Sequence, residues 1–440
     1  KSNSLNFNLI FLYKRLNGKQ KMENNASKAC GKQRMENKME KKSQYLFTSE
    51  VVSPGHPDKC ADIIADSIVD RLIIEDSNSR VASEVFVAGK HVVIGGEVKS
   101  NAKLSQNDYE KIVKDALAKI GYDGKSAFTK EQALHPDDVQ VQVLLNQQSP
   151  DISQGVDQTT GEIGAGDQGI MFGFASNEAA EFMPAAIVYA RRLCDTVYNY
   201  ALKNNQKLGV DIKTQVTVDY GTKENFENGL PQKIHTIVVS APCVEGMKIE
   251  EVRTIIQELI DNSGLPSKLY DKNSTIIHIN PTGRYVNHSS LHDSGLTGRK
   301  LIVDSFGGYA PIGGGAQSSK DYTKVDRSGL YAARWIAKHI VASGLAKKAI
   351  VQISYAIGVA RPTSVAVDTM GTYTKHNDDI LSAFVMENFP LTPRWITQKF
   401  NLDKPSATTF LYADVAARGQ VGQPDYPWEK LDELDKFKNI

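Results

Sequence analysis

The sequence predicts an α+β protein of three structurally similar α/β domains, with sheets packed under helices in a pseudo-threefold repeat. Two observations predict this fold. One order of elements occurs three times: a glycine-containing polar loop, a helix, two strands and a helix. The chain also has 440 residues, of which 41% are hydrophobic, which is enough for several cores. Chance similarity between common elements is the alternative, and the polar loop that opens each unit favours true repetition.

The first unit opens at GHPDKC, residues 55–60. Apolar residues then recur at spacings of three and four, which is the pattern of one helix face: Ala61, Ile64, Ile68 and Leu72. Pro57 fits the first turn of this helix, where a missing N–H costs nothing. The segments VASEVFVA and HVVIGGEV read as strands, and DYEKIVKDALAKIGY reads as a second amphipathic helix.

The other two units repeat this order. In the second, GAGDQGIMFGFA leads to helix AAIVYARRLCDTVYNYAL, strands TQVTVDY and IHTIVVSA, and helix KIEEVRTIIQELI. In the third, GGGAQSSKDYTKVDRS leads to helix LYAARWIAKHIVASGL, strands AIVQISYAIGV and TSVAVDTM, and helix NDDILSAFVMENF.

The sequence predicts five segments of the chain. Residues 1–42 are rich in Lys, Asn, Gln and Ser, and we expect a disordered N-terminal extension. Residues 43–145, 167–281 and 282–440 form the N-terminal, central and C-terminal domains. Residues 146–166 are long, polar and dotted with glycine, which is typical of a mobile active-site loop.

Charge and composition exclude several classes of protein. The formal net charge is +1, so no global field favours nucleic acid or an anionic membrane. No apolar run approaches the roughly 20 residues that a membrane helix needs. The four cysteines are widely scattered without a CxxC pair, which indicates free thiols in a reducing compartment. We therefore expect a cytoplasmic protein with small-molecule partners, without nucleic acid or membrane.

The segment GHPDK places His56, Asp58 and Lys59 at a helix N-terminus. Free N–H groups there favour anions, phosphate above all, and Lys59 would add positive charge. A carboxylate repels phosphate, but Asp58 fits if Mg2+ lies between them, because Mg2+ is usually held by one or two carboxylates and phosphate oxygens. The plain alternative is that Asp58 only starts the helix and His56 only caps it.

A second candidate site is the glycine-rich stretch GGGAQSSK, residues 313–320. Successive glycines let backbone N–H groups approach a ligand closely, and Lys320 supplies a point charge. Lys324, Asp326 and Arg327 lie just behind, which favours a polyphosphate site with a metal over a flexible surface turn. The Walker pattern GxxxxGK[ST] is absent from the sequence.

Further charged residues lie in polar segments. NPTGRY and LTGRK add Arg284, Arg299 and Lys300, whose side chains pair with phosphate if they are not simply solvated. Asp211 and Lys213 share one face at the start of a strand. Asp293 lies in a glycine-bearing loop, where a carboxylate often bonds only local backbone.

These stretches together resemble the methionine adenosyltransferase (S-adenosylmethionine synthetase) family. The likeness is carried, in order, by FTSEVVSPGHPDK, GAGDQGIMFG, INPTGR, GLTGRK, GGGAQSSKDYTKVDRS and VQISYAIGV, and it runs from about Tyr45 to PWEK at residues 427–430. It implies three similar domains and a homodimer with shared active sites, which can assemble further into a tetramer. It also implies attack of the methionine sulfur on C5′ of ATP, with release of triphosphate that is hydrolysed to pyrophosphate and phosphate, assisted by Mg2+ and K+.

The resemblance assigns a role to the residue at each matching position. The catalytic residues it implies are His56, which approaches the oxygen leaving C5′, with Lys213 and Lys320. The implied ATP-binding residues are His56, Asp211, Lys213, Arg284, Tyr285, Asp293, Arg299, Lys300, Ala316 and Lys320. The implied methionine-binding residues are Glu97, Gln148, Asp293 and Lys324. The implied metal ligands are Asp58, Glu50 and Asp326 for Mg2+ and Glu84 for K+.

The chain departs from the family pattern in three places. Ile312 stands where a histidine is usual, and Gln317 and Ser319 replace an aromatic residue and a glycine. YVNHSSLHD replaces the usual stretch before GLTGRK, and RGQVGQ replaces YGHFGR near the C-terminus. We expect His288 and His292 in the second of these stretches to be solvent-facing. The alternative to an active enzyme is a catalytically weak regulatory subunit of the same fold, whereas an unrelated kinase lacks its motifs.

Overall fold

The computed structural model describes residues 44–147 and 163–440. The predicted N-terminal extension, residues 148–162 of the predicted loop and the candidate methionine ligand Gln148 lie outside the described residues. The first part of the fold consists of β1 (Leu46–Val52), α1 (Pro57–Glu75), β2 (Arg80–Ala88), β3 (His91–Lys99), α2 (Gln106–Ile120) and β4 (Gln140–Gln147).

The remaining elements follow in two groups. The middle group consists of β5 (Gly169–Ser176), α3 (Ala185–Lys203), β6 (Lys213–Asp219), α4 (Lys223–Glu227), β7 (Lys233–Ser240), α5 (Ile249–Asp261) and β8 (Ile276–Ile279). The last group consists of β9 (Gly295–Leu296), α6 (Leu301–Asp304), α7 (Val325–Ala342), β10 (Lys348–Tyr355), β11 (Ser364–Asp368), α8 (Asp378–Asn388), α9 (Pro393–Phe400), α10 (Tyr412–Arg418) and α11 (Leu434–Lys438).

Local chemistry explains where two of the predicted helices begin. His56 is the N-cap of α1, since its side chain accepts a hydrogen bond from the backbone N–H of Asp58, and Pro57 occupies the first turn. A capping box between Ser105 and Asp108 begins α2, and Gly121 in the left-handed region ends it. Both helices therefore lie where the sequence predicts them.

Helix α7 begins five residues before the predicted start at Leu330. Gly329 lies inside the helix, where a glycine normally weakens the structure. A Cβ at this position would lie 3.1 Å from Met171 Cγ on β5, so the glycine allows close packing of helix on sheet. The sequence pattern treats Gly329 as part of a loop because it contains no information about this contact.

The strands form three sheets, in the orders β1-β6-β7-β8, β4-β3-β2-β9 and β11-β10-β5. The first strand of each predicted domain pairs with a strand of another domain: β1 is antiparallel to β6, β5 to β10, and β9 to β2. The three-domain α+β fold is confirmed, but the sequence did not predict this exchange of strands. Strand periodicity determines which face of a strand is buried and leaves its pairing partner open.

Each sheet is covered by a helix on one face. Helix α1 packs on β2, α3 packs on β1 and β6, and α7 packs on β5 and β10, and these three helices are buried along most of their length. The opposite face of the sheet β4-β3-β2-β9 is solvent-accessible and carries the exposed side chains of Phe86, Leu144 and Leu296. No helix in the described part of the chain is long and apolar enough to cross a membrane.

Candidate active site

The turn before α1 is held firmly by its neighbours. Ser53 donates from Oγ to the carbonyl of Val210 at 2.5 Å and from its backbone N–H to the carbonyl of Ile212 at 2.9 Å. Tyr122 donates from its hydroxyl to the carbonyl of Gly55 at 2.7 Å. A Cβ at Gly55 would lie 2.3 Å from the carbonyl oxygen of Val210, so only glycine fits there. These contacts position His56, which follows directly.

His56 is buried, and its Nδ1 accepts the backbone N–H of Asp58 at 3.2 Å. The neutral imidazole therefore carries its proton on Nε2. Burial lowers the pKa of His56 to about 3, and the positive charges of Lys213 and Lys300 act in the same direction. At neutral pH the side chain is an uncharged hydrogen-bond donor.

Asp58 follows two residues later and is also buried. Its Oδ2 lies 2.5 Å from Lys300 Nζ, and its Oδ1 accepts the backbone N–H of Leu296 at 3.1 Å and lies 3.4 Å from Arg299 Nη1. Burial opposes ionisation of the carboxyl, but the hydrogen bonds from Lys300 and Leu296 outweigh it and lower the pKa of Asp58. The group is therefore a carboxylate next to two cations.

Asp211 lies beside this pair, just before β6. Its Oδ2 accepts the backbone N–H of Ser289 at 3.2 Å, whereas its buried Oδ1 has no hydrogen-bond partner among the described residues. Burial raises the pKa of Asp211 to about 6. Tyr285 donates from its hydroxyl to the backbone carbonyl of Asp211 at 3.3 Å, and Lys213 is exposed two residues later. An unpartnered buried acceptor is a position at which a ligand donor would be favourable.

The glycine-rich stretch ends on the edge of β2, beside β9. The backbone N–H of Ser83 donates to the carbonyl of Ser319 at 3.1 Å, and Ala82 and Lys320 form an antiparallel bridge. Lys320 Nζ then pairs with Asp326 Oδ2 at 2.6 Å. Lys320, which we expect to bind phosphate, is thus in contact with Asp326, which we expect to bind Mg2+.

Two of the three successive glycines are required by packing. A Cβ at Gly313 would lie 2.4 Å from the carbonyl oxygen of Ile170, and a Cβ at Gly315 would overlap the carboxylate of Asp326. Gly314 has no atom within 4 Å of such a Cβ. We expected all three glycines to leave space for a ligand, and only Gly314 does so.

Residues 296–300 connect the two clusters. Leu296 and Lys300 contact Asp58, and a Cβ at Gly298 would lie 2.7 Å from the Cβ of Ala316 in the glycine-rich stretch. Thr297 donates from its hydroxyl to the Oε2 of Glu84. The cluster around His56 and the cluster around Lys320 are therefore two parts of one candidate site.

Other candidates lie apart from this centre or have protein partners. Glu50, Glu84 and Glu97 lie on outward-facing sides of β1, β2 and β3. Asp293 is exposed in its loop, where it accepts the backbone N–H of Ser294 at 2.8 Å. Lys324 pairs with Asp321 at 2.5 Å, and Arg284 pairs with Glu245 at 3.1 Å.

The structure corrects three sequence-based expectations. Lys59 is buried and pairs with Asp304 at 2.6 Å and Asp62 at 3.1 Å, so it does not face an anion at the helix N-terminus. Arg327 is buried against Asp66. His288 is buried and its ring packs edge-on against Phe128, whereas His292 is exposed as expected. Each correction concerns a contact with a residue far away in sequence, which spacing alone does not reveal.

The site also includes groups that the sequence reading missed. They are the backbone N–H groups of Leu296 and Ser289 and the hydroxyl groups of Thr297 and Ser319 near Glu84. Thr297 belongs to the LTGRK stretch, which was a usable signal. The backbone groups have no sequence signal. Among the described residues, no group of three or more His, Cys, Asp or Glu could hold a metal ion by itself.

Comparisons with known proteins cover the whole of this architecture. Residues 44–150, 162–285 and 288–430 match the N-terminal, central and C-terminal domains of S-adenosylmethionine synthetase. The S-adenosylmethionine synthase of a Nitratiruptor species is 44% identical over 407 residues, which cover 90% of this chain and 98% of the relative. That of Rhodopseudomonas palustris is 42% identical over 415 residues, covering 90% and 99%.

A solved structure, described as an unusual S-adenosylmethionine synthetase from Campylobacter jejuni, is 73% identical and superimposes with a TM-score of 0.87. The match covers 90% of this chain and 99% of that one. These matches show that the chain is an enzyme with the three-domain α+β fold described above. More specifically, it belongs to the S-adenosylmethionine synthetase family and is a methionine adenosyltransferase, as the sequence predicted.

Proposed function

We propose that this chain makes S-adenosylmethionine from ATP and L-methionine by direct attack of the methionine sulfur on C5′ of ATP. Synthesis of S-adenosylmethionine is the activity of the family to which the chain belongs. The proposal rests on one observation: residues 296–300 join neutral His56 and the Asp58–Lys300 pair to the Lys320 loop. A cation-rich site of this kind suits a substrate whose leaving group is a polyphosphate.

The proposed displacement needs positioning and charge stabilisation more than it needs a protein nucleophile, because the sulfur itself attacks. The C5′–O bond breaks as the S–C5′ bond forms, and negative charge grows on the departing oxygen. Neutral His56 can donate from Nε2 to that oxygen. Lys213, Lys300 and Lys320 would stabilise the negative charges of the triphosphate. A single donor of this kind is typically worth about 3 kcal/mol of transition-state stabilisation.

The substrates would bind to side-chain groups of the site that can still accept or donate a hydrogen bond or pair with a charge. The unpartnered Oδ1 of Asp211 would accept a hydrogen bond from a hydroxyl or amino group of the nucleoside, next to Tyr285. Arg284, Arg299 and Ala316 complete the proposed ATP site. Glu97, Gln148, Asp293 and Lys324 are the proposed methionine site, and carboxylates there would favour the sulfonium cation that forms.

Mg2+ fits Asp58, because this buried carboxylate is ionised and lies beside Lys300, which is proposed to bind the triphosphate. Asp326 and Glu50 are the further proposed ligands, and phosphate oxygens and water would complete the coordination. K+ fits Glu84, whose carboxylate is approached by the hydroxyl groups of Thr297 and Ser319. When bound, the cations supply positive charge at the triphosphate.

We also propose a homodimer with shared active sites, with a tetramer as the larger assembly that such dimers can form. Phe86, Leu144 and Leu296 are 41%, 54% and 38% exposed on the outer face of one sheet. The strand register places Glu84 and Glu97 on this same face, since Glu84 lies opposite Gly95, which lies opposite Leu144. A second copy that covers the apolar face would bring its own residues close to these carboxylates.

Two further proposals complete this picture. We propose domains at residues 43–145, 167–281 and 282–440, with an active-site loop at residues 146–166 whose first two residues extend β4. We propose a cytoplasmic location, because Cys60, Cys194 and Cys243 are buried free thiols, as expected in a reducing compartment.

The experiment is an incubation of purified protein with ATP, L-methionine, Mg2+ and K+. S-adenosylmethionine, pyrophosphate and phosphate are measured together, and omission of each metal in turn is the control. We expect all three products in equal amounts. ATP binding without product would contradict the proposal and would favour a regulatory subunit, in which case Ile312, Gln317 and Ser319 would be the first residues to change.

A further inference from the structure

A cavity of about 350 Å³ lies behind the turn that carries His56, where α1, α2, α3 and α10 meet. Its volume lies within the range of about 300 to 1,000 Å³ in which proteins bind small molecules. Most of its wall is apolar: Pro54, Ile63, Ile120, Leu202, Ala413 and Ala417. Pro54 lies two residues before His56, so the cavity adjoins the candidate active site but does not belong to it.

One face of α3 contributes three polar residues and one leucine to the wall. Asp195, Tyr198, Asn199 and Leu202 recur at helical spacing and all line the cavity. Tyr198 donates from its hydroxyl to the carbonyl of Ile120 at 2.7 Å. Asp195 and Asn199 are accessible to solvent, and neither makes a side-chain hydrogen bond or an ion pair with a described residue. Two acceptor groups one helical turn apart therefore face the cavity without partners.

The other charged residues of the wall are already paired. Lys119 Nζ lies 2.5 Å from Asp414 Oδ1, which joins α2 to α10 across the rim. Arg418 holds Asp425 with two hydrogen bonds, at 2.7 and 3.2 Å. Burial raises the pKa of Asp195, although Arg191 and Arg418 act in the opposite direction. A carboxylate that is both accessible and surrounded by protein is typical of a concave binding site.

We propose that this cavity binds a small amphipathic cation, with its ammonium group on Asp195 and Asn199 and its apolar body against Ile63, Ile120 and Leu202. The carboxylate and the amide oxygen both accept hydrogen bonds, so an ammonium donor satisfies both. An anion would face Asp195 and be repelled. A hydrated metal ion would leave the apolar wall without a partner. An alkylammonium or arylammonium ion would contact both the apolar wall and the acceptor groups.

The test is isothermal titration calorimetry of the full-length protein with 2-phenylethylamine hydrochloride. We expect one saturable site per chain, and binding at least tenfold weaker for 2-phenylethanol, which lacks the charge. Asp195→Asn should weaken amine binding by about tenfold, whereas the matched control Glu387→Gln, on the exposed side of α8, should not. Saturating ATP should leave amine binding unchanged.

A second variant protects the test against misfolding. Asn199→Lys places an ammonium group four residues from Asp195, where the two side chains can pair within the helix. We expect this variant to keep its unfolding temperature and to lose amine binding. Absence of saturable binding to the unaltered protein, binding that Asp195→Asn leaves unchanged, or competition with ATP would each overturn the proposal, the last by placing the amine at the carboxylates near His56.

Discussion

Lys300 Nζ lies 2.5 Å from Oδ2 of Asp58, although 242 residues separate the two in the sequence. Lys300 thus neutralises the buried carboxylate of Asp58 at the first turn of α1, beside neutral His56. Both residues are proposed ligands of the metal–triphosphate substrate. Binding of that substrate would therefore replace a contact within the protein by contacts to Mg2+ and phosphate.

Asp58→Asn should reduce turnover at least a hundredfold, because the neutral amide removes the proposed ligand of Mg2+ and the partner of Lys300. The Mg2+ concentration needed for half-maximal rate should rise in parallel. Lys300 is partly exposed, so the variant should remain folded. Asp115→Asn, on the exposed side of α2, is the matched control. An unchanged Mg2+ requirement would exclude Asp58 as a ligand.

Lys320→Ala should lower kcat by about 10² to 10³-fold, because a cation at the triphosphate is lost. The Lys320–Asp326 pair is partly exposed, so its loss should change the free energy of unfolding by only about 0 to 1 kcal/mol. Lys111→Ala removes an exposed helical pair as the control. The rate of S-adenosylmethionine formation and the unfolding temperature check both parts. Normal turnover would place the phosphate site elsewhere.

His56→Ala should lower kcat by about 10² to 10³-fold, whereas His56→Gln, which retains an N–H donor, should lose less. Because the pKa of His56 is about 3, the ring is neutral throughout the range from pH 5 to 8. The pH profile of kcat/KM reports groups of the free enzyme. Any step in this profile near pH 6.5 should therefore persist in His56→Gln, because it does not arise from His56. A step that His56→Gln removes would contradict the assignment of a neutral donor.

The same pKa determines the contribution of His56 to stability. The unfolded chain takes up a proton on this side chain near pH 6.5, whereas the folded protein does so only near pH 3. The contribution is fully present above pH 6.5 and is lost as the pH falls towards 3. The difference in free energy of unfolding between the unaltered protein and His56→Gln should follow that course.

Ser319→Gly should be more stable than Ser319→Ala by about 1 kcal/mol, because Ser319 is fully buried and has φ of +83°, a backbone conformation that favours glycine over residues with a Cβ. Alanine keeps the strain and loses the hydroxyl group. Denaturant unfolding of the two variants measures the difference. Equal stability would show that the surrounding structure imposes this conformation without strain.

Leu144→Glu should shift the protein from dimer to monomer in analytical ultracentrifugation, because a charge would be buried in the proposed interface. Leu144 is 54% exposed, so the substitution should leave the subunit folded. Ile74→Glu is the control, since Ile74 is 58% exposed on α1 and lies outside this sheet face. A dimer that survives Leu144→Glu would place the interface on another surface.

The sequence by itself determined the two helices and two strands of each unit and the type of chemistry of this protein. Apolar spacing located α1, the alternation of VASEVFVA located β2, and the order of charged motifs indicated the family. These properties depend on neighbours within a few residues, so they can be read along the chain. Most of the polar and charged residues of the candidate site, including His56, Asp58 and Lys300, were also recognisable because their residue types suit a polyphosphate and a cation.

Only the tertiary structure decided which residues meet. It paired Lys59 with Asp304, buried His288 against Phe128 and paired the first strand of each predicted domain with a strand of another domain. It also brought the backbone N–H of Leu296 to Asp58 and left Oδ1 of Asp211 without a partner among the described residues. Such contacts depend on desolvation and packing between segments hundreds of residues apart, and local periodicity contains no information about them.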